Sequence, residues 1–152
     1  MVKEGATAPA FKTTDANGES VSLKDFRGQK VVLYFYPKDD TPGCTKEACS
    51  FRDAFAKFKK GGINILGVSP DTEKSHQKFV AKYKLPFTLL ADTDHAIADA
   101  YGVYGEKKFM GRTYMGIHRT TFLIDEKGKI KKVFAKVKPE DHADEVFGAF
   151  SE

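Results

Sequence analysis

Residues 34–49 read Tyr34-Phe35-Tyr36-Pro37-Lys38-Asp39-Asp40-Thr41-Pro42-Gly43-Cys44-Thr45-Lys46-Glu47-Ala48-Cys49. The apolar start of this segment predicts a strand, and the polar loop after it predicts the beginning of a helix. Thr41 is suited to the N-cap and Pro42 to the first helical position, where a missing N–H costs nothing. Cys44 then lies in the first turn, where free backbone N–H groups and the helix dipole favour a thiolate. The segment therefore predicts a reactive, exposed cysteine at a helix start.

Composition excludes several classes of protein. The 152 residues are 41% apolar and 30% charged, which predicts one globular domain over residues 1–152. The net charge of +4 is too small and too scattered to predict binding to nucleic acid. No apolar run is long enough to span a bilayer, and the first residues lack a signal-peptide core, so we expect no membrane association. Two cysteines do not make a secreted disulfide framework, so we expect a cytoplasmic protein with a catalytic pair.

The first half of the chain is predicted to form a β-hairpin and a β-α-β unit. Ala10–Thr14 and Glu19–Leu23 flank an Asn-Gly turn that is typical of hairpins. Val31–Tyr36 reads as a central strand, and Ile63–Ser69 reads as its parallel neighbour after a helix from Thr41 to Lys60. That helix presents an apolar face made of Ala48, Phe51, Phe55 and Phe58.

The second half alternates helices and strands. It is predicted to contain a helix from Pro70-Asp71-Thr72 to about Tyr83, a strand Phe87–Ala91, a short helix capped by Asp94 and ending at Tyr101, a hairpin of Thr120–Ile124 with Ile130–Val137, and a helix from Pro139 to about Phe150. Tyr104–Gly116 has no clear period and is interpreted as an irregular surface excursion. This order of elements predicts an α/β, thioredoxin-like fold, in which helices flank a central mixed β-sheet and a β-hairpin comes first.

Four motif residues carry a family resemblance. Pro37, Thr41 and Cys44 reproduce the Pro-x-x-x-Thr-x-x-Cys signature of the peroxiredoxins, and Arg119 resembles the active-site arginine of that family. Over nearly its whole length the chain is similar to the peroxiredoxin Q branch, also called bacterioferritin comigratory protein. The shared segments include Tyr34-Phe35-Tyr36-Pro37, Gly67-Val68-Ser69-Pro70-Asp71 and Leu85-Pro86-Phe87. A second cysteine five residues after the first, here Cys49, is typical of many members of the branch.

The resemblance implies a thiol peroxidase that reduces hydrogen peroxide and alkyl hydroperoxides. Cys44 would be the peroxidatic cysteine, and Cys49 would resolve its sulfenic acid as an intramolecular disulfide. Thr41, Gly43 and Arg119 would contact the substrate with Cys44, and Pro37 would shield the site from water. The resemblance also implies a monomer that is reduced by thioredoxin, or by glutaredoxin as in some members of the family. No cofactor (flavin, haem or metal) is required, because sulfur carries the redox chemistry.

The residues themselves support this chemistry. Cleaving a peroxide bond needs a thiolate, together with donors that stabilise charge on the departing oxygen. The fixed positive charge of Arg119 would stabilise the Cys44 thiolate and polarise the peroxide, and the Thr41 hydroxyl is close enough in sequence to bond both. On an intact helix, however, residues five apart lie about 8–9 Å from each other at Cα. A disulfide tolerates about 7 Å. We therefore expect residues 41–51 to unwind in each catalytic cycle.

Other functions remain open from the residues alone. A thiol–disulfide oxidoreductase on the same fold is one, although such enzymes usually carry Cys-x-x-Cys and this chain has four residues between its cysteines. A non-enzymatic binding or chaperone-like module is another, suggested only by the lysine-rich residues 127–138. The four histidines have no metal-ligand spacing, so we expect surface or hydrogen-bonded side chains at His76, His95, His118 and His142.

Overall fold

A computed structural model of the protein describes residues 1–150. Its strands are β1 (Lys12–Asp15), β2 (Ser20–Ser22), β3 (Lys30–Phe35), β4 (Ile63–Ser69), β5 (Thr88–Ala91), β6 (Tyr104–Phe109), β7 (Arg112–Ile117), β8 (Thr120–Ile124) and β9 (Ile130–Phe134). Its α-helices are α1 (Pro42–Lys60), α2 (Glu73–Tyr83), α3 (Ala96–Tyr101) and α4 (His142–Phe150). The predicted single domain extends to residue 152, two residues beyond the described part, and stays a prediction.

Within residues 1–150, seven strands form one mixed sheet in the order β2-β1-β5-β4-β3-β8-β9. The central strand β3 pairs parallel with β4 and antiparallel with β8, and Phe35 lies opposite Thr120. Strand β3 is apolar because both its faces are covered. Val32 and Tyr34 face the core under α1, α2 and α4, whereas Val31 and Leu33 face the core that includes α3. The predicted α/β architecture, a mixed sheet flanked by helices and preceded by a hairpin, is confirmed.

Helix α1 follows its prediction closely. Thr41 is the N-cap, Pro42 opens the helix, and Gly61 is the C-cap. The apolar face is buried at Ala48, Phe51 and Phe58, and Phe55 is partly buried. One detail is wrong, because the Thr41 hydroxyl does not cap the helix.

Four other predictions need correction. Tyr104–Gly116 is part of a regular two-stranded hairpin, β6 with β7, and its hydrophobic period was weak because this small sheet buries little of either face. The N-cap residue of α3 is His95 instead of Asp94, although the Asp94 carboxylate does accept the N–H of Ala96 at the helix start, and the Asp92 carboxylate accepts those of Ile97 and Ala98. Strand β9 ends at Phe134, short of the predicted Val137. The last helix begins with a 3-10 turn, Pro139–Asp141.

No helix among residues 1–150 is both long and apolar enough to cross a bilayer.

Candidate active site

The first turn of α1 places Cys44 against the sheet instead of in solvent. The helix begins its hydrogen bonding with Thr45 N–H to the Thr41 carbonyl, so the Cys44 amide lies among the free N–H groups of the first turn. The side chain of Cys44 is only 2% exposed and packs in the core below α1. The prediction of an exposed cysteine is therefore wrong. Residues that are distant in sequence surround this turn, since both Arg119 and Pro139 lie beside the neighbouring Gly43.

Arg119 contacts the sulfur of Cys44 directly. Its Nη2 lies 3.2 Å from Cys44 Sγ, and the residue immediately precedes β8. Because β8 pairs with β3 in a fixed register, Arg119 arrives at the end of β3, next to the start of α1. A Cβ at position 43 would lie 3.2 Å from Arg119 Nη2, so the absence of a side chain at Gly43 leaves space for the guanidinium. The structure thus brings together Cys44, Gly43 and Arg119, as the sequence predicted.

Glu47 was missed by the sequence analysis. It lies one turn after Cys44, its side chain is 0% exposed, and its Oε1 accepts a hydrogen bond of 2.6 Å from Arg119 Nη1. Its Oε2 has no hydrogen-bond partner among the described residues. Burial raises the pKa of Glu47 to about 7, and Arg119 opposes this rise. The carboxyl therefore fixes the guanidinium opposite Cys44 and changes charge near neutral pH. An acidic residue on the buried face of a helix was the signal that could have found it.

A second buried group lies behind Glu47. His142 has a fully buried side chain, and its Nε2 is 4.0 Å from Glu47 Oε2 and 2.7 Å from the Thr121 hydroxyl. Its Nδ1 faces the Glu145 carboxylate at 3.1 Å. Burial lowers the pKa of His142. The prediction of hydrogen-bonded histidines is confirmed here and at His76.

The predicted hydrogen bond between the Thr41 hydroxyl and the Cys44 sulfur is not formed among the described residues, because this hydroxyl has another partner. The hydroxyl of Thr41 donates its proton to the Lys38 carbonyl at 2.9 Å. This oxygen can therefore only accept a hydrogen bond from a ligand. Pro37 is half-buried at the start of the same loop. A further charge comes from Lys107 of β6, whose pKa is lowered by burial and by the nearby Arg119.

The loop before Cys44 is anchored to the start of α2 by the buried carboxylate of Asp39. This carboxylate accepts hydrogen bonds from the hydroxyls of Tyr36 and Ser75 and lies 2.7 Å from His76 Nδ1. The Asp39 N–H donates to Asp71. Asp39, Asp71 and His76 offer ligand atoms within 4.8 Å of one another, which could hold a metal. These atoms are already engaged in hydrogen bonds, so the cluster is better described as an anchor of the loop.

Cys49 lies on the same helix as Cys44 and is half-buried. Both thiols are free, and α1 is continuous from Pro42 to Lys60. The structure therefore represents the dithiol state. In it the two cysteines are five residues apart on a helix, the spacing that a disulfide cannot bridge without unwinding.

The chain is similar to known proteins both in sequence and in structure. Residues 5–133 match the AhpC/TSA family. The chain is 49% identical over 151 residues to peroxiredoxin Bcp of Escherichia coli strain K12, covering 99% of this chain and 97% of that protein. It resembles a cysteine-to-serine mutant of the peroxiredoxin Q of Xylella fastidiosa with a TM-score of 0.94 and 34% identity, over 99% of this chain and 96% of that one. This likeness confirms the thioredoxin-like fold.

A second similar solved structure belongs to a protein whose activity on peroxides has been studied. The bacterioferritin comigratory protein of Xanthomonas campestris, studied for its alkyl peroxide reduction activity, is 40% identical to the chain. Its TM-score is 0.88, with 93% of this chain and 90% of that one covered.

Proposed function

The chain belongs to the AhpC/TSA family, as a peroxiredoxin of the Q/Bcp branch and a thiol peroxidase, and we propose that Cys44 is the residue that attacks the peroxide. One observation carries this proposal. Arg119 Nη2 lies 3.2 Å from Cys44 Sγ, and the buried Glu47 holds the guanidinium there through a 2.6 Å hydrogen bond. A fixed cation at that distance stabilises a thiolate and can also stabilise charge on a departing oxygen.

The first step is a displacement at oxygen. The Cys44 thiolate attacks the terminal oxygen of the hydroperoxide, the O–O bond breaks, and the alcohol or water leaves after taking up one proton. The sulfur is oxidised to a sulfenic acid and the peroxide is reduced. Arg119 donates to the peroxide, whereas the Thr41 oxygen, whose own proton goes to Lys38, accepts from the peroxide O–H. Pro37 fixes the loop and excludes water.

The second step forms the disulfide. The Cys49 thiol attacks the sulfenic sulfur of Cys44, the S–O bond breaks, and the hydroxyl leaves with the thiol proton as water. Because the intact helix separates the two Cα atoms by about 8–9 Å, residues between Thr41 and Phe51 unwind first. Pro42 and Gly43 are weak helix formers, which lowers the cost of unwinding.

Peroxides are the substrates and a thiol compound is the reductant. We propose that hydrogen peroxide and alkyl hydroperoxides both serve, the latter as in the Xanthomonas campestris relative. The disulfide is closed within one short segment and should be accessible, so a dithiol protein such as thioredoxin, or a glutaredoxin, would reduce it. We further propose that the chain works as a monomer in the cytoplasm, where such a pair is returned to the thiol state.

The test is peroxide consumption coupled to NADPH through thioredoxin and its reductase. The parent should turn over, Cys44→Ser should be inactive, and Cys49→Ser should complete one turnover and then stall unless a small thiol is supplied. Turnover by Cys44→Ser at the parent rate would overturn the assignment. An insulin-reduction assay separates this activity from that of a general disulfide reductase.

A further inference from the structure

Tyr83, the last residue of α2, binds α1 and its leading loop on both sides of the reactive cysteines. Its hydroxyl is 2.7 Å from Asp40 Oδ1, just before the helix starts. Its backbone carbonyl accepts a 2.9 Å hydrogen bond from Arg52 Nη1, three residues after Cys49. One residue therefore holds the two ends of a segment, residues 41–51, that contains both cysteines.

Tyr83 is itself firmly placed. Its ring packs edge-on against the buried Phe79 at 5.5 Å between centroids. The next residue, Lys84, ends α2 in the left-handed conformation, with φ 53° and ψ 52°. A side chain from the same helix strengthens the upstream contact, because Lys82 Nζ lies 2.8 Å from Asp40 Oδ2. Hydrogen bonds from Lys82 and then Tyr83 lower the pKa of Asp40, so the carboxylate stays charged.

The two contacts coincide with natural limits of the helix segment. Upstream, Asp40 has a φ of 56° and Pro42 follows, so regular structure is interrupted there. Downstream, Phe51 is fully buried, with its ring 4.8 Å from that of Tyr34 and 5.9 Å from that of Phe58. The helix after Phe51 is thus tied to the core as well as to Tyr83, whereas Cys49 is only half-buried.

We propose that Tyr83 is a positioning residue for the disulfide-forming step. By holding Asp40 and Arg52, Tyr83 confines the unwinding of α1 to residues 41–51. The inference rests on the proposed function, since it concerns the step in which Cys44 sulfenic acid reacts with Cys49 thiol to give the disulfide and water. With both ends held, Cys49 leaves the helix while α1 from Arg52 onward stays folded. Without the Arg52 contact, unwinding spreads toward Phe58.

Amide hydrogen exchange followed residue by residue by NMR tests this, on the reduced protein and on the protein oxidised with one equivalent of hydrogen peroxide. In the parent, oxidation should speed exchange in residues 41–51 and leave residues 53–58 unchanged. In Arg52→Gln, oxidation should also speed exchange in 53–58 by roughly tenfold, the effect of losing a hydrogen bond from a charged donor. Arg52→Lys keeps a charged donor, so in this variant oxidation should again leave exchange in residues 53–58 unchanged, as in the parent.

Tyr83→Phe tests the other end without disturbing the packed ring. Oxidation should then speed exchange in residues 38–40 as well, while the reduced forms of parent and variant match. Arg112→Gln and Tyr114→Phe, on the exposed β6–β7 hairpin, are the matched controls and should behave as the parent. The first-turnover rate of peroxide consumption should stay within about twofold of the parent in all variants, because the hydrogen bonds of Cys44 and Arg119 are unchanged.

The outcomes are distinguishable. If peroxide produces no Cys44–Cys49 disulfide in the parent, the proposed function itself fails. If the disulfide forms but the exchange limits of Arg52→Gln and Tyr83→Phe coincide with those of the parent, the role of Tyr83 is refuted. Equal acceleration in the reduced and oxidised variants would also refute it, since that result indicates general helix stability and no link to the redox step.

Discussion

Replacing Glu47 by Gln should change how the stability of the reduced protein depends on pH. The glutamine keeps the size of the side chain and can still accept a hydrogen bond from Arg119, but it cannot ionise. In the parent, the carboxyl is 0% exposed, lies 2.6 Å from the guanidinium, and has one oxygen without a hydrogen-bond partner among the described residues. The substitution therefore removes the titration of Glu47 and keeps the size of its side chain.

The size of the effect follows from the pKa. Burial raises the pKa of Glu47 from 4.5 to about 7, so between these values the folded chain holds a proton that the unfolded chain has released. This contribution to stability is full below about pH 4.5 and is lost as the pH rises through about 7. A pKa rise of this size corresponds to ~3 kcal/mol in all, of which ~2.5 kcal/mol falls between pH 5 and 8.

Urea unfolding under a reductant, at intervals from pH 5 to pH 8, measures the effect. The stability of Glu47→Gln relative to the parent should rise by ~2.5 kcal/mol across that range. Glu126→Gln, at an exposed position, is the control and should follow the parent. If the parent and Glu47→Gln curves run parallel within about 0.5 kcal/mol, Glu47 is ionised throughout and the account of its burial is wrong.

Substitutions at three further positions test the site and the core. Arg119→Lys should slow the first turnover with peroxide by ~10–100-fold, because one ammonium cannot bind Cys44 Sγ and Glu47 Oε1 with the fork geometry of arginine. An unchanged rate in a competition assay would show that Arg119 has no role in the reaction with peroxide. Thr41→Val should slow the same step by about tenfold and Thr41→Ser should restore it, whereas equal rates in both variants would leave the hydroxyl without a role. Gly67→Ala should lower the urea stability by ~1–3 kcal/mol, since its Cβ would lie 2.7 Å from Leu89 and 2.8 Å from Tyr34, and an unchanged midpoint would contradict this contact.

Local patterns were enough to predict the helix that carries the cysteines. The apolar run Val31–Tyr36 and the Thr-Pro start at residues 41–42 act through neighbouring residues, so their effects can be read from a short window. The observed strand, Lys30–Phe35, and helix, Pro42–Lys60, agree with these predictions to within a residue. The motif match also predicted that Arg119 lies close to Cys44, which no local pattern could predict.

What was missed depends on distant contacts. Cys44 is buried among residues that are distant in sequence, since it packs in the core below α1 and Arg119 contacts its sulfur. The position of Glu47 on the buried face of α1 could be read from the sequence, but its partner Arg119 lies 72 residues away in the chain. The β6–β7 hairpin escaped prediction for the opposite reason, since periodicity reports burial and this hairpin buries little of either face.

The register between β3 and β8 limits how the gene can tolerate length changes. The turn at Met110–Gly111 joins two exposed strand ends, so extra codons there lengthen a projecting arm and leave the sulfur and its cation in place. One codon gained or lost within β8 would instead shift the β3–β8 pairing by one residue. Each side chain of β8 after that point would then lie on the opposite face of the sheet. Insertions in natural or engineered variants should accordingly accumulate at the arm and be absent from the strand that begins beside Arg119.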